Sequence, residues 1–202
     1  AGAMPQVSVV TIAPAPLTLS TQLPGRTAPL RIAEIRPQVN GLIKQRLFNE
    51  GAEVKAGEVL YQIDPAPFQA ALDTAQAGLA RAEASRISIK AKAERVKDLL
   101  VDKAVSQQDY DDADAALKQV DAEIASWRAQ VETARINLGY TKVTAPISGR
   151  IGKSSVTDGA LVTAFQPTAL ATIQQLDPIY VDVTQSTSDL LRLRRRFEAG
   201  HL

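Results

Sequence analysis

GLIKQRLFNEGAEVKAGEVLYQI at residues 41–63 and GRIGKSSVTDGALVTAFQPTALATI at residues 149–173 repeat one pattern, and this repeat decides the fold. In each copy a turn glycine, Gly51 or Gly159, follows an acidic residue and lies ten residues after the first glycine. A valine follows three residues later in both copies. Short apolar runs bounded by glycine turns predict strands, so each copy is predicted to form two or three short strands.

Turn residues and flanking strands extend this β pattern. Asn40-Gly41 and Asp158-Gly159 predict tight turns, because Asn, Asp and Gly tolerate positive φ. Further strands are predicted at residues 7–12, 17–23 and 179–184, where β-branched or alternating residues occur. After the last of these, Ser186 is predicted to cap a short helix.

Between the two copies the apolar period changes to that of helices. Apolar residues step by three and four positions over two runs, with Arg86 as the polar member of the first. Such a seam, sustained over about four heptads in each run, predicts a coiled coil. The predicted seam consists of Leu72, Ala75, Leu79, Ala82, Arg86, Ile89, Ala93, Val96 and Leu100, and of Tyr110, Ala113, Leu117, Val120, Ile124, Trp127, Val131, Ala134 and Leu138.

The connection between the two runs is short. Ser106, followed three residues later by Asp109, forms a capping-box-like pattern at the start of the second helix. So short a connection makes the helices antiparallel neighbours, in a hairpin about 50 Å long. Trp127 is assigned to seam packing, because an aromatic residue at a seam position is usually part of the core.

Composition excludes several classes of function. The chain has 23 basic and 22 acidic residues, which argues against a nucleic-acid binder that relies on a basic surface. It has no cysteine, and His201 is its single histidine, so thiol catalysis, a Ser-His-Asp triad and a multi-His metal site are not expected. No apolar run approaches the roughly 20 residues that span a bilayer. We therefore predict no catalytic, cofactor-binding or metal-binding residues.

Gly152-Lys153-Ser154 is the one fragment similar to a phosphate-binding loop. The P-loop pattern requires a glycine five positions before the second glycine, and Ile147 stands there. The segment also leads into another turn, not into a helix whose N-terminus would hold a phosphate. Nucleotide binding is therefore not predicted.

The paired motif resembles the two halves of a biotinyl/lipoyl-type domain, and a helical hairpin inserted between such halves resembles the periplasmic adaptors, or membrane fusion proteins, of RND multidrug efflux pumps. Five runs carry the family resemblance: LPGRT at 23–27, IRPQVNG at 35–41, ARINLGYTKV at 134–143, APISGRIG at 145–152 and QQLDPIYVDVT at 174–184. The resemblance covers essentially the whole chain after Met4.

The resemblance implies an α+β fold: a lipoyl/biotinyl-like β-sandwich interrupted by a long antiparallel α-helical coiled-coil hairpin, plus part of a β-barrel domain. We expect part of the β-barrel at 5–31 and 174–202, and the sandwich halves at 32–65 and 140–173. The hairpin is expected at 66–139, with its tip at about 101–106.

The same resemblance implies a non-catalytic adaptor in the periplasm that bridges an inner-membrane RND drug/proton antiporter to an outer-membrane channel. The hairpin tip would dock the channel, the barrel side would face the transporter, and several copies would form a ring. No cofactor and no nucleic acid are implied. The family often begins at a lipidated cysteine and continues to a longer C-terminus, so the full-length protein is expected to be anchored to the inner membrane.

An Arg-x3-Leu-x6-Ser pattern, which the resemblance implicates in channel docking, is present as Arg95, Leu99 and Ser106. Arg95 and Leu99 are one helical turn apart and share a face near the hairpin end. A guanidinium can bind the carbonyls or a carboxylate of a partner helix, and a leucine can fill a gap between helices. The alternative is structural: a solvated arginine, a leucine that shields the seam and a serine that only caps the helix.

Three other interpretations remain. The same fold could serve an ABC-type or other exporter. A lipoyl or biotin carrier would need a modified lysine on the turn between the halves, and this chain has the helical hairpin there. Finally, Arg192 and Arg194 to Arg196 lie late in a short predicted helix, where cations complement the helix dipole, although contact with acidic lipid or a pump subunit is an alternative.

Overall fold

The computed structural model describes residues 22–200, together with residues 2, 10, 11 and 20. It divides into two compact units: residues 29–179, and the described parts of 1–28 and 180–202. The strands predicted at 7–12 and 17–23 fall largely outside the described residues. The predicted domain boundaries at 31/32 and 173/174 remain predictions.

Two helices form the expected antiparallel hairpin. Helix α1 is Ala66–Val101 and helix α2 is Gln107–Tyr140, 36 and 34 residues long. Every predicted seam residue is buried or half-buried, which confirms the heptad assignment. The eight most buried helix residues all belong to that seam: Leu72, Ala75, Ala82, Ala93, Ala113, Val120, Ile124 and Val131.

Gly78 and Trp127 fit together across the seam. A β-carbon built on Gly78 would lie 2.5 Å from Cζ3 and 2.6 Å from Cε3 of the Trp127 ring. The ring therefore occupies the space that a side chain at residue 78 would need, and Trp127 packs as the sequence predicts. Its indole Nε1 also donates a hydrogen bond to Glu123, at 3.3 Å.

Arg86, the polar member of the seam, is paired across the hairpin. Its Nε donates to the Asp121 carboxylate on α2, and Arg128 of α2 donates to Glu83 of α1 at 3.0 Å. Both pairs are partly exposed, so each contributes at most about 1 kcal/mol. They favour one register of the two helices, because a shift of either helix would separate both pairs.

Within residues 22–200, eight strands form two four-stranded sheets. The sheet orders are β1-β8-β6-β3 and β5-β4-β2-β7. The hairpin joins β4 to β5, which are antiparallel neighbours within one sheet. The strands are β1 (Gly25–Ile35), β2 (Gly41–Arg46), β3 (Glu53–Val54), β4 (Val59–Ile63), β5 (Lys142–Thr144), β6 (Gly149–Ile151), β7 (Leu161–Val162) and β8 (Ala171–Val183).

The sandwich has a quasi-twofold relation that follows the sequence repeat. The N–H of Gly51 donates to the carbonyl of Ile151 at 2.9 Å, and the N–H of Gly159 donates to the carbonyl of Ile43 at 2.7 Å. Each half therefore closes its glycine turn on the other half. The core repeats the same relation through four pairs of buried residues: Ile43 with Ile151, Val54 with Val162, Leu60 with Leu170, and Ile63 with Ile173.

The prediction of a tight turn at Asn40-Gly41 is wrong. Gly41 begins strand β2 and pairs with Val162, whereas Gly51 and Gly159 have the positive φ angles of 77° and 84°. The absence of a side chain at Gly41 has a packing reason, since a β-carbon there would lie 2.6 Å from Cγ2 of Ile63.

A buried polar group joins the two halves. Tyr61 is fully buried, its hydroxyl lies 2.7 Å from Ser154 Oγ, and it donates to the carbonyl of Leu170 at 3.1 Å. Burial raises the pKa of Tyr61, and the hydrogen bond with Ser154 opposes that rise. Phe48 packs edge-on against the Tyr61 ring, with centroids 5.2 Å apart.

The base of the hairpin is held by Thr141. This residue is buried, its carbonyl accepts the N–H of Ile63 at 2.8 Å, and its hydroxyl donates to Leu138 at 2.7 Å. Phe68, in the first turn of α1, packs against the sandwich core. Leu72, Ala75 and Val131 then begin a separate cluster inside the hairpin.

In the second unit, helix α3 (Thr187–Glu198) follows β8, and Ser186 is its N-terminal flanking residue, as predicted. The expected side-chain cap is not made, however. The Ser186 hydroxyl lies 2.7 Å from the hydroxyl of Ser188 and forms no hydrogen bond with a backbone N–H of the helix.

Candidate docking site at the hairpin tip

Arg95 and Leu99 lie on one exposed face of the last turns of α1. Both are exposed, and Leu99 retains 44% of its accessible surface. Within residues 22–200 the Arg95 guanidinium forms no ion pair and donates no hydrogen bond. Its planar set of donors is therefore free for a carbonyl or carboxylate from outside the chain.

The end of α1 is fixed by a Schellman motif. The N–H of Ala104 donates to the carbonyl of Leu99 at 2.9 Å, and the N–H of Lys103 donates to that of Leu100 at 3.0 Å. Lys103 takes the left-handed position, with φ of 56°, where glycine is the usual residue. The carbonyls of Leu99 and Leu100 are thus satisfied within the chain.

Ser106 begins α2 with a complete capping box. Its hydroxyl oxygen accepts the N–H of Asp109 at 3.2 Å, and its own N–H donates to the Asp109 carboxylate at 3.0 Å. The Ser106 hydroxyl also donates to that carboxylate at 2.6 Å. These hydrogen bonds, from the hydroxyl first and then the N–H, hold the pKa of Asp109 below its ordinary value.

The geometry separates the three predicted residues into two roles. Arg95 and Leu99 offer unused surface, whereas the Ser106 hydroxyl is already engaged within its own helix. Any docking role of Ser106 is therefore that of a positioning residue, which fixes where α2 begins. Direct docking by all three residues remains a prediction.

Val101 also belongs to the exposed surface of the tip, although it lies outside the predicted Arg95, Leu99 and Ser106 pattern. This side chain is 78% exposed, two residues beyond Leu99, and it enlarges the apolar surface at the tip. Its signal in the sequence is that an apolar residue near the end of α1 falls outside the seam period. The left-handed conformation of Lys103 was not predicted, because it depends on the turn that follows the helix.

The other sequence features do not form a second site. Ser154 of the Gly-Lys-Ser fragment is buried beside Tyr61, and no helix follows it. Arg194 pairs with Glu198 at 2.9 Å on α3. Over the described part of the chain, no three His, Cys, Asp or Glu side chains lie close enough together to hold a metal ion. None of the three described helices is both long and apolar enough to cross a membrane.

Comparison with known proteins gives a consistent set of matches. Residues 31–174 match the family model described as RND MFP, barrel-sandwich hybrid domain. The chain is 56% identical over 198 residues to the multidrug export protein AcrE of Escherichia coli, covering 98% of this chain and 51% of AcrE. It is 57% identical over 198 residues to the multidrug resistance protein MexA of Pseudomonas aeruginosa, covering 98% and 48%. The chain thus spans about half the length of the curated relatives it matches.

A solved structure has a similar fold. It is a MacA–MexA chimeric protein that contains the Pseudomonas aeruginosa MexA α-hairpin domain. The match has a TM-score of 0.56 and 35% sequence identity, and it covers 83% of this chain and 55% of the chimera. The expected combination of a sandwich and an inserted hairpin is confirmed by this neighbour and by the family model.

Proposed function

Because this chain belongs to the RND membrane fusion protein (MFP) family, we propose that it acts as a non-catalytic adaptor in multidrug efflux. In this role it bridges an inner-membrane RND drug/proton antiporter and an outer-membrane channel, and it lies in the periplasm. The transporter supplies the energy, and this chain supplies the mechanical connection.

The observation that carries the proposal is the surface at the far end of the hairpin. Arg95 is exposed and has no partner within residues 22–200, and Leu99 and Val101 expose apolar surface beside it. A surface residue with five unused donors, next to exposed apolar side chains, is suited to a partner helix. The seam and the capping box hold this surface at the end of a rod about 50 Å from the sandwich.

The remaining parts of the chain receive roles from the same proposal. The sandwich halves at 32–65 and 140–173 form the base of the rod. The part of the β-barrel at 5–31 and 174–202 faces the transporter. Several copies stand side by side as a ring, and the full-length protein is anchored to the inner membrane.

The test uses the full-length protein, expressed with its candidate transporter and channel. We expect Arg95→Asp to abolish co-purification of the channel and to lower drug efflux toward the level of cells that lack the adaptor. Reversal of the charge replaces a donor group with an acceptor that repels carbonyl and carboxylate oxygens.

Lys97→Asp is the matched control. Lys97 is exposed, forms no ion pair within residues 22–200 and lies two residues from Arg95, about 200° around the helix. It undergoes the same charge change at the same height but on another face, so it should retain both channel capture and efflux. If Arg95→Asp equals the wild type on both measurements, or if Lys97→Asp is equally impaired, the docking surface has been misassigned.

A further inference from the structure

A cleft of about 770 Å³ lies where the hairpin joins the sandwich. Ile136 and Tyr140, from the last two turns of α2, line it together with three sandwich residues: Ile35, Val143 and Pro146. Sites for small organic molecules are usually clefts of about 300–1,000 Å³ with mostly apolar walls. The cleft therefore has the size and the lining of a site for a small molecule.

Ile136 and Tyr140 offer apolar surface to this cleft that the fold itself does not use. They are one helical turn apart, so they share one face of α2. Each lies two positions beyond a seam residue, about 200° around the helix from it, so neither packs in the seam. Ile136 retains 45% of its accessible surface and Tyr140 retains 40%. A ligand that covers this surface would remove it from water, which is the main favourable contribution to binding at an apolar site.

The cleft also has one positive charge that no described residue balances. Arg36 binds the Glu34 carboxylate at 2.6 Å and donates to the carbonyl of Gln166 at 3.0 Å, so the charges of Arg36 and Glu34 cancel. Lys142 is exposed and lines the same cleft. Its ammonium group forms no ion pair and donates no hydrogen bond within residues 22–200. The net charge of the cleft is therefore the charge of Lys142.

Tyr140 supplies a second free donor, two residues before Lys142. Its hydroxyl forms no hydrogen bond with any residue that the structure describes. A tyrosine hydroxyl and a lysine ammonium can both donate to an anionic oxygen, and a bond between charged groups is stronger than a neutral one. The cleft thus combines apolar walls with donors suited to an acidic group.

We propose that this cleft binds an amphipathic organic anion, with one carboxylate or sulfonate on an apolar body. The acidic group binds the Lys142 ammonium, and the body covers Ile136 and the ring of Tyr140. An amphipathic cation is not suited to the cleft, because the free charge has the same sign. The site goes beyond the proposed function, since it lies at the other end of α2 from the docking surface, about 50 Å away.

Anilinonaphthalene sulfonate is a suitable probe, because it is an aromatic sulfonate that binds apolar surface and then fluoresces. We expect this chain to bind it saturably. Lys142→Glu should raise the Kd of the probe at least about tenfold, because an attractive charged contact becomes a repulsive one. Lys142→Arg keeps the positive charge, so its Kd should stay within about threefold of the wild-type value.

Lys44→Glu is the matched control. Lys44 is exposed on β2 of the same sandwich, it does not line the cleft, and it forms no ion pair with the described residues. This variant undergoes the same change of charge, and it should bind the probe as the wild type does. If Lys142→Glu keeps the wild-type Kd, or if Lys44→Glu weakens binding equally, the probe binds elsewhere and the proposal is wrong.

Ile136→Ala tests the apolar wall and separates an effect on binding from an effect on folding. Because Ile136 is exposed, the substitution should leave the midpoint of urea unfolding nearly unchanged. The loss of apolar contact should raise the Kd of the probe about fivefold. A wild-type Kd in this variant would contradict contact between the ligand and this wall.

Calorimetric titration with two alkyl ligands tests the choice of sign. Decanoate and decyltrimethylammonium have similar chains and opposite charges, and both are used below the concentrations at which they form micelles. Decanoate should bind the wild type more tightly than Lys142→Glu, and decyltrimethylammonium should show the reverse order. If the cation binds the wild type as tightly as the anion does, Lys142 does not select the ligand. No transporter or channel is present in these assays, so their failure would leave the Arg95→Asp result standing.

Discussion

The contact between Gly78 and Trp127 predicts a change of sign in the effect of one substitution. In an exposed helix, Gly→Ala stabilises by about 1 kcal/mol, because alanine has the higher helix propensity. At residue 78 the added β-carbon would lie 2.5, 2.6 and 2.7 Å from three ring carbons of Trp127. Ordinary carbon–carbon contacts are about 3.5–4.0 Å, so the ring must move by about 1 Å.

That movement opposes the gain in helix propensity. Forcing an extra carbon into a packed site costs about 1–3 kcal/mol. Gly78→Ala should therefore change the free energy of unfolding by between zero and a loss of about 2 kcal/mol. In a Trp127→Leu background the six-membered ring is absent, and the same substitution should stabilise by about 1 kcal/mol. The two residues should thus be coupled by about 1–3 kcal/mol.

The measurement is a double-mutant cycle, with urea unfolding followed by far-ultraviolet circular dichroism so that variants without tryptophan can be compared. Since Trp127 is the single tryptophan, its fluorescence gives a second measurement. Its emission should shift toward longer wavelength in Gly78→Ala, because the ring is displaced toward solvent.

Gly139 provides the control. It lies in α2, and nothing is within 4 Å of the position that its β-carbon would take. Gly139→Ala should stabilise slightly in both backgrounds, by up to about 1 kcal/mol. The reasoning is refuted if Gly78→Ala stabilises the wild type by as much as it stabilises Trp127→Leu, because the ring would then not limit residue 78.

Three further predictions concern the sandwich and the tip. Gly149→Ala should destabilise by about 2 kcal/mol or more in urea unfolding, because its β-carbon would lie 2.5 Å from the backbone carbonyl oxygen of Gln174, which cannot turn aside. Tyr61→Phe should cost about 1 kcal/mol at neutral pH. Burial raises the pKa of Tyr61, so the contribution of its protonated hydroxyl to the free energy of unfolding is fully present below the ordinary tyrosine value of 10.0. That contribution is lost as the pH rises through the raised pKa. The variant should therefore lose less stability than the wild type in alkaline unfolding. Ser106→Ala should raise the pKa of Asp109 toward its ordinary value, as measured by carboxyl carbon NMR. The stabilisation that the lowered pKa represents is present above the pKa of the unfolded state and is lost as the pH falls through the pKa of the folded state. This dependence of stability on pH should weaken in the variant.

The hairpin could be predicted from the sequence almost residue by residue. A coiled-coil seam depends on spacing alone, so Leu72, Ala93 and Ile124 were assigned to it correctly without knowledge of the rest of the fold. The capping box at Ser106 was equally local, because both partners lie within one turn. The sandwich followed from the repeat and from the family resemblance.

Features that depend on tertiary neighbours could not be predicted in this way. Gly41 was assigned to a turn because of Asn40, but its small size is required by Ile63, which is 22 residues away. The exposure of Val101 and the left-handed Lys103 depend on where α1 ends, to within one residue. Arg95 has no partner within residues 22–200, and this depends on the positions of all the side chains around it, which spacing along the chain does not give.

The two halves of the sandwich exchange glycine-turn hydrogen bonds, between Gly51 and Ile151 and between Gly159 and Ile43. These bonds make the length of the hairpin independent of the sandwich. The sandwich is complete once its two halves meet and Phe68 and Thr141 close the base of the hairpin, and longer insertions between those two residues add little to the entropy of closing the chain. One heptad added to each helix would extend the rod by about 10 Å and leave every hydrogen bond of the sandwich unchanged. The length of the hairpin can therefore change in evolution without a change in the sandwich, and it can match the distance that the hairpin must span.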